Sequence, residues 1–373
     1  MPDWRDEFIK EGLTFSDVSL RPRYSELETR TGREGGPKTD TYLTPKIKLA
    51  IPIISANMDT VTENKMAINM ARYGGIGIIH RNLSIEKQVQ EVEIVKAAEE
   101  ILIREPYTLY PASSVAKTRQ LMAEKQIDSV LIIDSYPLPK LVGLVTKYEI
   151  ADADGAEMVG RYMKTRDQLI VIEVPKETML TGSKAKEMAD HIFGERPLLG
   201  KLPFVDRNSK LLGLVTKKDL FRYAEYPDAT RDDKGRLRVG AAIGVDEDTT
   251  KIMGRAERLL IAGTDVLVLD VAHGHAKKPM ECAKIIRRNF EHCNLIVGNV
   301  ATFKAVRDYA EIGVDGIKVG IGPGATCSTR IVAGAGVPQV SAIMECFIEA
   351  EKYNIPLIAD GGIRYPRDVP ITI

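Results

Sequence analysis

The stretch VLVLDVAHG, residues 266–274, begins with four consecutive aliphatic residues and becomes polar at Asp270. A short continuous run of Val and Leu is typical of a strand that is buried on both faces, as in a parallel sheet covered by helices. The segment that follows, AKKPMECAKIIRRNF (276–290), has a helical pattern. The stretch therefore predicts one strand and helix unit of an α/β fold, with polar residues where the strand ends.

Similar apolar runs occur on both sides of this stretch, and each ends in a glycine or a polar residue. From Val239 onward the runs alternate regularly with helical patterns, which favours either a (β/α) barrel or a doubly wound sheet. In chain order the seven predicted strands are IPIIS (51–55), GIGIIH (75–80), RVGAAIGV (238–245), VLVLDVAHG (266–274), LIVGNVA (295–301), GIKVGIG (316–322) and PLIADGG (356–362).

A segment with a different sequence pattern separates the second and third strands, and one phrase repeats within it. LVGLVTKYEI (141–150) returns as LLGLVTKKDL (211–220), and each copy follows an apolar strand, SVLIID (129–134) or KLPFVD (201–206). A helical stretch precedes each of these strands. The repeat predicts two copies of a small αβ unit that pair with each other inside the barrel sequence, and it leaves open whether they also bind a ligand.

Length, charge and cysteine content restrict the class of protein. A chain of 373 residues predicts two or three domains, since a domain usually holds about 100–200 residues. With 52 basic and 52 acidic residues, the chain is not expected to bind nucleic acid or a membrane surface, so a small-molecule ligand is predicted. The four cysteines form no CxxC pair, the N-terminal stretch is charged, and no apolar run approaches the roughly 18 residues of a membrane span. A cytoplasmic protein is predicted.

The loop GIGPGATCSTR, residues 320–330, combines three glycines with one cysteine. Gly320, Gly322 and Gly324 have no Cβ atom, so a ligand or an ion can approach the backbone closely. Cys327 lies near a predicted helix start, where backbone N–H groups would stabilise a thiolate nucleophile. A buried structural thiol is the alternative, which the polar neighbours of Cys327 disfavour. The loop lacks the GK[ST] ending of a P-loop and does not show the spacing of a dinucleotide fingerprint, so a nucleotide-triphosphate cradle is disfavoured.

Two acidic residues also stand at predicted strand ends. Asp270 suits a ribose diol or, alternatively, a helix N-cap, and the nearby His273 and His275 could bind a metal. Asp360 precedes two glycines in ADGGIR (359–364), so a carboxylate for a ribose would lie beside bare N–H groups for a phosphate. An ordinary turn is the alternative for this second motif.

A longer series of motifs occurs in the order known from one family, and it runs from about residue 14 to residue 364. On this series the chain resembles the IMP dehydrogenase / GMP reductase family. The motifs are FSDVSLRP (15–22), SANMDTVTE (55–63), GGIGIIHRN (74–82), the two repeats, EYPDATRDDKGRLRVGAAIGV (225–245), the strand that ends in Asp270, VGNVAT (297–302), the cysteine loop and ADGGIR (359–364).

The resemblance implies the architecture and the assembly. It implies a TIM (β/α)8-type barrel, incomplete with about seven strands, that is interrupted by a tandem pair of cystathionine-β-synthase-type (CBS) repeats. The implied domains are barrel over 1–100, repeats over 101–161 and 162–224, and barrel again over 225–373. The repeats are implied to bind adenine or guanine nucleotides, and the assembly is implied to be a homotetramer.

The resemblance also implies a reaction. Cys327 would attack C2 of IMP, hydride would pass to NAD⁺, and water would release XMP, with Thr329 assisting the water step. Asp270 would contact the nicotinamide ribose, and Gly320, Ile321 and Gly322 would line the NAD side.

Further residues are implied at the substrate and at a monovalent cation. Asp360 would bind the IMP ribose and Met58 would pack on the base, while the phosphate would meet Ala325, Gly361 and Gly362. The backbone of Gly322, Gly324 and Cys327 would bind K⁺.

Three departures from the family pattern open alternatives. Ala325 stands where the family usually has a serine, and Asn57 resembles the AANMDTV stretch of GMP reductases. The chain also ends after the seventh strand, so a truncated enzyme that lacks the family's flap is expected. Such an enzyme is expected to fail at hydrolysis of the covalent intermediate. The last residues, YPRDVPITI (365–373), are predicted to form a β-prone tail without a helix. The alternatives are a GMP reductase with CBS repeats and a catalytically inactive nucleotide-sensing protein.

Overall fold

Seven parallel strands form the largest sheet of the computed structural model, and they are the seven that the sequence predicts. The structure describes residues 12–29, 36–99, 101–134, 138–246 and 248–373. The charged stretch at residues 1–11, which was assigned to the barrel, lies outside these ranges. Within them, no helix combines the length and the apolarity needed to cross a membrane.

The elements alternate along most of the chain. The first part contains β1 (Thr41–Thr44), β2 (Ile47–Leu49), β3 (Ile54–Ser55), α1 (Asn64–Arg72), β4 (Ile76–Ile79) and α2 (Ile85–Ala97). The middle part contains β5 (Thr108–Leu109), α3 (Val115–Lys125), β6 (Ser129–Ile133), β7 (Leu141–Thr146), β8 (Lys164–Thr165), β9 (Ile172–Glu173), α4 (Gly182–Glu195), β10 (Lys201–Val205), β11 (Leu211–Thr216) and α5 (Lys217–Glu225), with 3-10 turns at Val159–Arg161 and Arg166–Gln168. The last part contains β12 (Val239–Ile243), α6 (Thr249–Ile261), β13 (Val266–Asp270), α7 (Lys277–Asn289), β14 (Asn294–Val300), α8 (Phe303–Ile312), β15 (Gly316–Val319), α9 (Thr329–Val332), α10 (Gln339–Tyr353), β16 (Leu357–Ala359) and α11 (Asp368–Thr372).

The order of the strands in the main sheet is the order of the chain, β3-β4-β12-β13-β14-β15-β16, and all neighbours are parallel. This order excludes a doubly wound sheet, in which the strand order reverses at a switch point. Residues of both outer strands, Ile54 on β3 and Ile358 on β16, line one and the same cavity. The sheet is therefore a curled half-barrel of seven strands, consistent with a TIM-type barrel.

The apolar runs of the sequence are continuous because both faces of the sheet are covered. One set of alternate residues, such as Leu267 and Leu269, packs in the cluster that includes helix residues. The other set, such as Val266 and Val268, packs on the concave side together with Leu43 and neighbouring residues of the β1–β2 hairpin. A polar side chain has no place in the middle of such a strand unless a partner compensates its burial.

The chain divides into two compact units. The first holds the main sheet with the described residues up to Ala98, residues 228–230 and residues 237–373, and the second holds the described residues 99–227 and residues 231–236.

The second unit contains the two sequence repeats. In each repeat an antiparallel pair, β6–β7 or β10–β11, is extended by a parallel strand, β5 or β9. The phrases LVGLVT on β7 and LLGLVT on β11 have the same alternation of burial. Buried residues of both pairs, among them Leu144 and Leu214, share one hydrophobic cluster. The predicted pairing of the two copies is therefore seen in the packing of this unit.

The predicted β-prone tail is wrong, because residues 368–372 form α11. Asp368, the first residue of this helix, holds the turn before it, since its carboxylate accepts hydrogen bonds from the backbone amides of Arg364 and Tyr365 at 2.8 and 3.0 Å. Pro370 occupies the third helical position, where the lack of an N–H group costs nothing because the first amides of a helix have no intrahelical acceptor.

Tyr309 on α8 ties this helix to the turn that follows β13. Its ring is fully buried, and its hydroxyl donates to the carbonyl oxygen of Gly274 at 2.6 Å. Tyr309→Phe keeps the ring and removes one hydrogen bond, so we expect the free energy of unfolding to fall by about 0.5–1.5 kcal/mol. Denaturant unfolding of the variant measures this change. Tyr24→Phe, at a side chain that is 90% exposed, is the matched control, and an equal effect of both substitutions would contradict the prediction.

Candidate active site

A cavity of about 330 Å³ lies at the carboxyl ends of the parallel strands, the end at which barrel enzymes bind substrates. Its apolar part includes Val268 and Ile296, from the concave side of the sheet. Its polar part consists of Asn57 after β3, Lys318 on β15 and Asp360 after β16. An apolar cavity with a few convergent polar groups suits a small molecule that has a flat ring and polar substituents.

Lys318 is the central charge of this site. Its side chain is only 10% exposed, and its Nζ lies 2.5 Å from Asp270 Oδ1, 3.0 Å from Asn57 Oδ1 and 3.1 Å from Asp360 Oδ2. Burial alone lowers the pKa of Lys318, but the negative charges of Asp360 and Asp270 outweigh burial, so its pKa is raised. Lys318 therefore remains an ammonium ion, and it is the shared counter-ion of Asp270 and Asp360, the two carboxylates that were predicted to bind riboses.

Asn299 is a second polar residue that holds Asp360 in place. Its Nδ2 donates to Asp360 Oδ2 at 2.8 Å and to the carbonyl oxygen of Gly320 at 2.7 Å. The Asn299 Oδ1 atom is buried and accepts no hydrogen bond in the part of the chain that the structure describes. A buried amide oxygen without a donor is an acceptor that a ligand can satisfy.

Two glycine-rich segments approach each other closely at this end of the sheet. Gly320 has φ +146°, and a Cβ atom on it would lie 2.1 Å from the carbonyl oxygen of Asp360. Gly361 has φ +88°, and a Cβ atom on it would lie 2.9 Å from the amide nitrogen of Gly324. No side chain fits at either position, so glycine is required for the cysteine loop to lie against the loop of Asp360.

Cys327 lies two residues before α9, as a nucleophile near a helix start was predicted to lie. It is partly exposed, and its Sγ is 3.2 Å from Thr329 Oγ1. The Thr329 hydroxyl is the largest cause that lowers the Cys327 pKa below its usual value, followed by the backbone amide of Thr329 and, more weakly, the charge of Arg330. A thiol with a lowered pKa is more readily deprotonated at neutral pH and thus a better nucleophile.

The other three cysteines have the opposite property. Burial raises the pKa of Cys282 to about 11 and that of Cys346 to about 12, and it also raises the pKa of Cys293. All four cysteines are free thiols. The alternative of a buried structural thiol therefore describes Cys282 and Cys346 but not Cys327.

The remaining predicted residues lie near the cavity or in the cysteine loop. Met58 is 49% exposed beside Asn57, and Ala325 is exposed at the tip of the loop. The Ile321 carbonyl accepts a hydrogen bond from the Val337 amide at 3.0 Å, which closes the base of the loop.

Two alternatives from the sequence find no support. The predicted N-cap role of Asp270 is wrong, because its carboxylate contacts Lys318 and the N-cap of α7 is Ala276. His275 Nε2 lies 2.8 Å from Asp308 Oδ2, and among the described residues no group of three His, Cys, Asp or Glu side chains could hold a metal ion.

Lys318 and Asn299 were missed as site residues by the sequence analysis. The signal for Lys318 was present, because it is the charged residue in the predicted buried strand GIKVGIG (316–322). A lysine in such a strand requires buried acceptors, and the acids at neighbouring strand ends could have been proposed as those acceptors.

Comparison with known proteins identifies the family. The model of the IMP dehydrogenase / GMP reductase domain matches residues 12–373. The inosine-5'-monophosphate dehydrogenase of Aquifex aeolicus is 45% identical over 365 residues, which are 97% of this chain and 70% of the relative. The enzyme of the same name from Bacillus subtilis is 43% identical over 366 residues, which are 98% of this chain and 72% of the relative.

Solved structures of similar fold cover almost the whole chain. GMP reductase from Trypanosoma brucei in complex with guanosine 5'-triphosphate superimposes with a TM-score of 0.85 at 36% identity, over 99% of this chain and 85% of that one. A cysteine-to-alanine variant of the same reductase, in complex with guanosine 5'-monophosphate, gives a TM-score of 0.86 at 35% identity, over 99% and 75% of the two chains. The chain belongs to the IMP dehydrogenase / GMP reductase family.

Proposed function

We propose that this chain catalyses the NAD-dependent oxidation of IMP to XMP in guanine nucleotide biosynthesis. The relatives that cover 97–98% of the chain are named inosine-5'-monophosphate dehydrogenases. The observation that carries the proposal is the position of Cys327, a thiol of lowered pKa in a loop that lies against the segment of Asp360.

Cys327 acts as the nucleophile at C2 of the hypoxanthine ring. Its sulfur forms a bond to C2, a hydride leaves C2, and water then displaces the sulfur to give XMP and the free thiol. When bound, NAD⁺ supplies the acceptor for that hydride. Thr329, whose Oγ1 lies 3.2 Å from the Cys327 sulfur, is assigned to stabilise the thiolate before the attack and to assist the water step.

The two carboxylates at Lys318 are assigned to the two riboses, Asp360 to that of IMP and Asp270 to that of NAD. Supporting this assignment, the Oδ1 of Asp360 and the Oδ2 of Asp270 accept no hydrogen bond within the described residues, so each can accept one from a ribose hydroxyl. The buried Asn299 Oδ1 without a donor fits a polar ligand at the same place.

The backbone and the apolar residues complete the substrate site. We assign the phosphate of IMP to the N–H groups of Gly361 and Gly362, both of which have positive φ, with Ala325 in place of a hydroxyl donor. Met58 is assigned to the base, where an exposed thioether can pack on a purine ring. Gly320, Ile321 and Gly322 are assigned to the NAD side.

The cysteine loop is also proposed to hold K⁺ through the carbonyl oxygens of Gly322, Gly324 and Cys327. Gly324 O accepts a hydrogen bond from the Cys327 amide at 3.1 Å, whereas the carbonyls of Gly322 and Cys327 accept no backbone hydrogen bond in the described ranges. Unpaired carbonyl oxygens in a short loop are the ligands that hard cations prefer.

Residues 101–161 and 162–224 are proposed to be a tandem CBS pair that binds adenine or guanine nucleotides. The two repeats share a local geometry, since Thr146 bonds to Glu149 after β7 and Thr216 bonds to Asp219 after β11. Around the two repeats, the barrel is proposed to occupy residues 1–100 and 225–373.

A cytoplasmic homotetramer is proposed as the assembly. Three large apolar side chains on α10, those of Met344, Phe347 and Ile348, are more than half exposed and would be covered by another subunit.

GMP reductase is the second candidate, because the two solved structures compared above are GMP reductases and Asn57 resembles the reductase pattern. Both reactions begin with the thiol at C2 and differ in the direction of electron flow. Incubation with IMP and NAD⁺, and separately with GMP and NADPH, followed at the absorbance of the reduced cofactor, distinguishes the two. Turnover with GMP alone would overturn the dehydrogenase assignment. If the protein binds nucleotides but shows neither turnover nor an adduct on Cys327, the result would favour a catalytically inactive nucleotide-sensing protein.

Cys327→Ser removes the nucleophile. We expect kcat to fall by roughly 10³-fold or more, as in other enzymes that lose a covalent nucleophile, while IMP still binds. Turnover assays and mass spectrometry of the protein after incubation with IMP and NAD⁺ measure activity and adduct. Cys293→Ser, at a half-buried thiol whose pKa is raised, is the matched control and should leave both unchanged. Full activity of Cys327→Ser would refute the mechanism.

Thr329→Val keeps the shape of the side chain and removes the hydroxyl beside the thiol. Because that hydroxyl lowers the Cys327 pKa, we expect the pKa to rise and the thiolate fraction at neutral pH to fall. The rate of Cys327 alkylation by iodoacetamide, measured against pH, should then reach its midpoint at a higher pH than in the wild type. Thr326→Val, at an exposed threonine of the same loop, should not move the midpoint. An unchanged midpoint in Thr329→Val would show that the hydroxyl does not stabilise the thiolate.

A further inference from the structure

Lys318 is an unusual residue for its place in the fold. It lies on β15, the neighbour of the outer strand β16 in the parallel sheet, with Ile317 and Val319 buried on either side in sequence. Placing an ammonium ion in such a strand costs free energy unless every donor finds an acceptor. If packing alone determined this position, an apolar side chain would be more stable there. The three acceptors explain why a lysine occupies it.

The three acceptors of Lys318 come from three separate strand ends. They are Asn57 after β3, Asp270 at the end of β13 and Asp360 after β16, at distances of 2.5 to 3.1 Å from Nζ. Two N–H groups of the ammonium donate to Asn57 and Asp270, and Asp360 forms an ion pair with it, so all three neighbours compensate its buried charge. Lys318 therefore acts on a ligand through these neighbours.

Each carboxylate keeps one oxygen for another partner. Lys318 occupies Oδ1 of Asp270, and Lys318 together with Asn299 occupies Oδ2 of Asp360. The second oxygens, Asp270 Oδ2 and Asp360 Oδ1, accept no hydrogen bond in the described part of the protein. Without a cation between them, two carboxylates at one site repel each other and one of them takes up a proton.

We infer that Lys318 is a positioning residue that holds one oxygen of each carboxylate and thereby orients the other toward a ribose. This assignment rests on the proposed function, because Asp360 and Asp270 are the residues assigned to the riboses of IMP and NAD. One ammonium group then serves both subsites, so its loss weakens the binding of both ligands.

The sheet contains a matched pair for comparison at the opposite end of β13. Lys96 Nζ lies 2.6 Å from Asp265 Oδ2, and both side chains are at least as buried as those of Lys318 and Asp270. Asp265 immediately precedes β13, far along the strand from Asp270. Lys96→Met thus removes a buried ion pair of the same chemistry without touching the proposed site.

Binding of IMP by calorimetry, in the absence of NAD⁺, tests the assignment on the full chain. We expect Lys318→Met to weaken IMP binding by roughly tenfold or more, the scale of one charge-assisted hydrogen bond, and Lys318→Arg to recover part of the loss. KM for NAD⁺ should rise in parallel in turnover assays, while kcat at saturation changes less. Lys96→Met should lower the midpoint of urea unfolding and leave the affinity for IMP unchanged.

A double substitution separates positioning from a general structural effect. If Lys318 acts through Asp360, then Lys318→Met weakens IMP binding in the wild type but not further in the Asp360→Asn background. In the double variant the Asp360 carboxylate, which Lys318→Met leaves without its counter-ion, is also neutralised. The double variant can therefore be measured even if Lys318→Met alone does not fold. Additive weakening in the two backgrounds would overturn the assignment.

The outcomes for the two proposals differ. A wild-type protein that binds neither IMP nor GMP would refute the proposed function, and the assignment of Lys318 with it. If the wild type binds and oxidises IMP, and Lys318→Met does so with the same affinity, the assignment of Lys318 is refuted but the proposed function is not.

Discussion

The burial of the main sheet on both faces is the constraint on which the rest of this structure depends. Helices cover one face, and the other face packs on itself and on the β1–β2 hairpin, so side chains within the strands must be apolar or fully compensated. Polar groups that are to meet a ligand are therefore restricted to the strand ends. Asp270 and Asp360 occupy such ends, and the order of the parallel strands brings them to the same edge.

Glycines convert this shared edge into one site. The cysteine loop and the segment after β16 touch through Gly320 and Gly361, where a Cβ atom on either would collide with the backbone of the other segment. Their positive φ angles also turn the chain sharply as it leaves each strand. The close approach places a nucleophile loop beside a carboxylate that belongs to a different strand, which neither motif shows when it is considered alone.

Much of this arrangement could be predicted from the sequence, because its signals are local. Seven runs of Val, Ile and Leu predict the seven strands, and a repeated phrase predicts the pair of αβ units. The tail at residues 368–372 was wrongly predicted, because β propensity does not reveal the hydrogen bonds from the Arg364 and Tyr365 amides to Asp368, which fix the turn before this helix. Lys318 and Asn299 were missed because their roles depend on side chains from other strands, which the sequence separates by dozens of residues.

The two lysine–aspartate pairs at opposite ends of β13 show what distinguishes a structural charge from one that serves a ligand. Both carboxylate oxygens of Asp265 accept hydrogen bonds within the protein. Lys96 and the Val239 amide donate to Oδ2, and Arg238 donates to Oδ1, so the charge of Asp265 is fully compensated by protein groups. Asp270 has one oxygen held by Lys318, whereas the other accepts no hydrogen bond in the described ranges. Both carboxylates pair with a lysine ammonium group, and the Asp265 carboxylate is the more deeply buried of the two. The remaining acceptor, at the strand end where the cavity lies, is the property that makes the second pair part of a binding site.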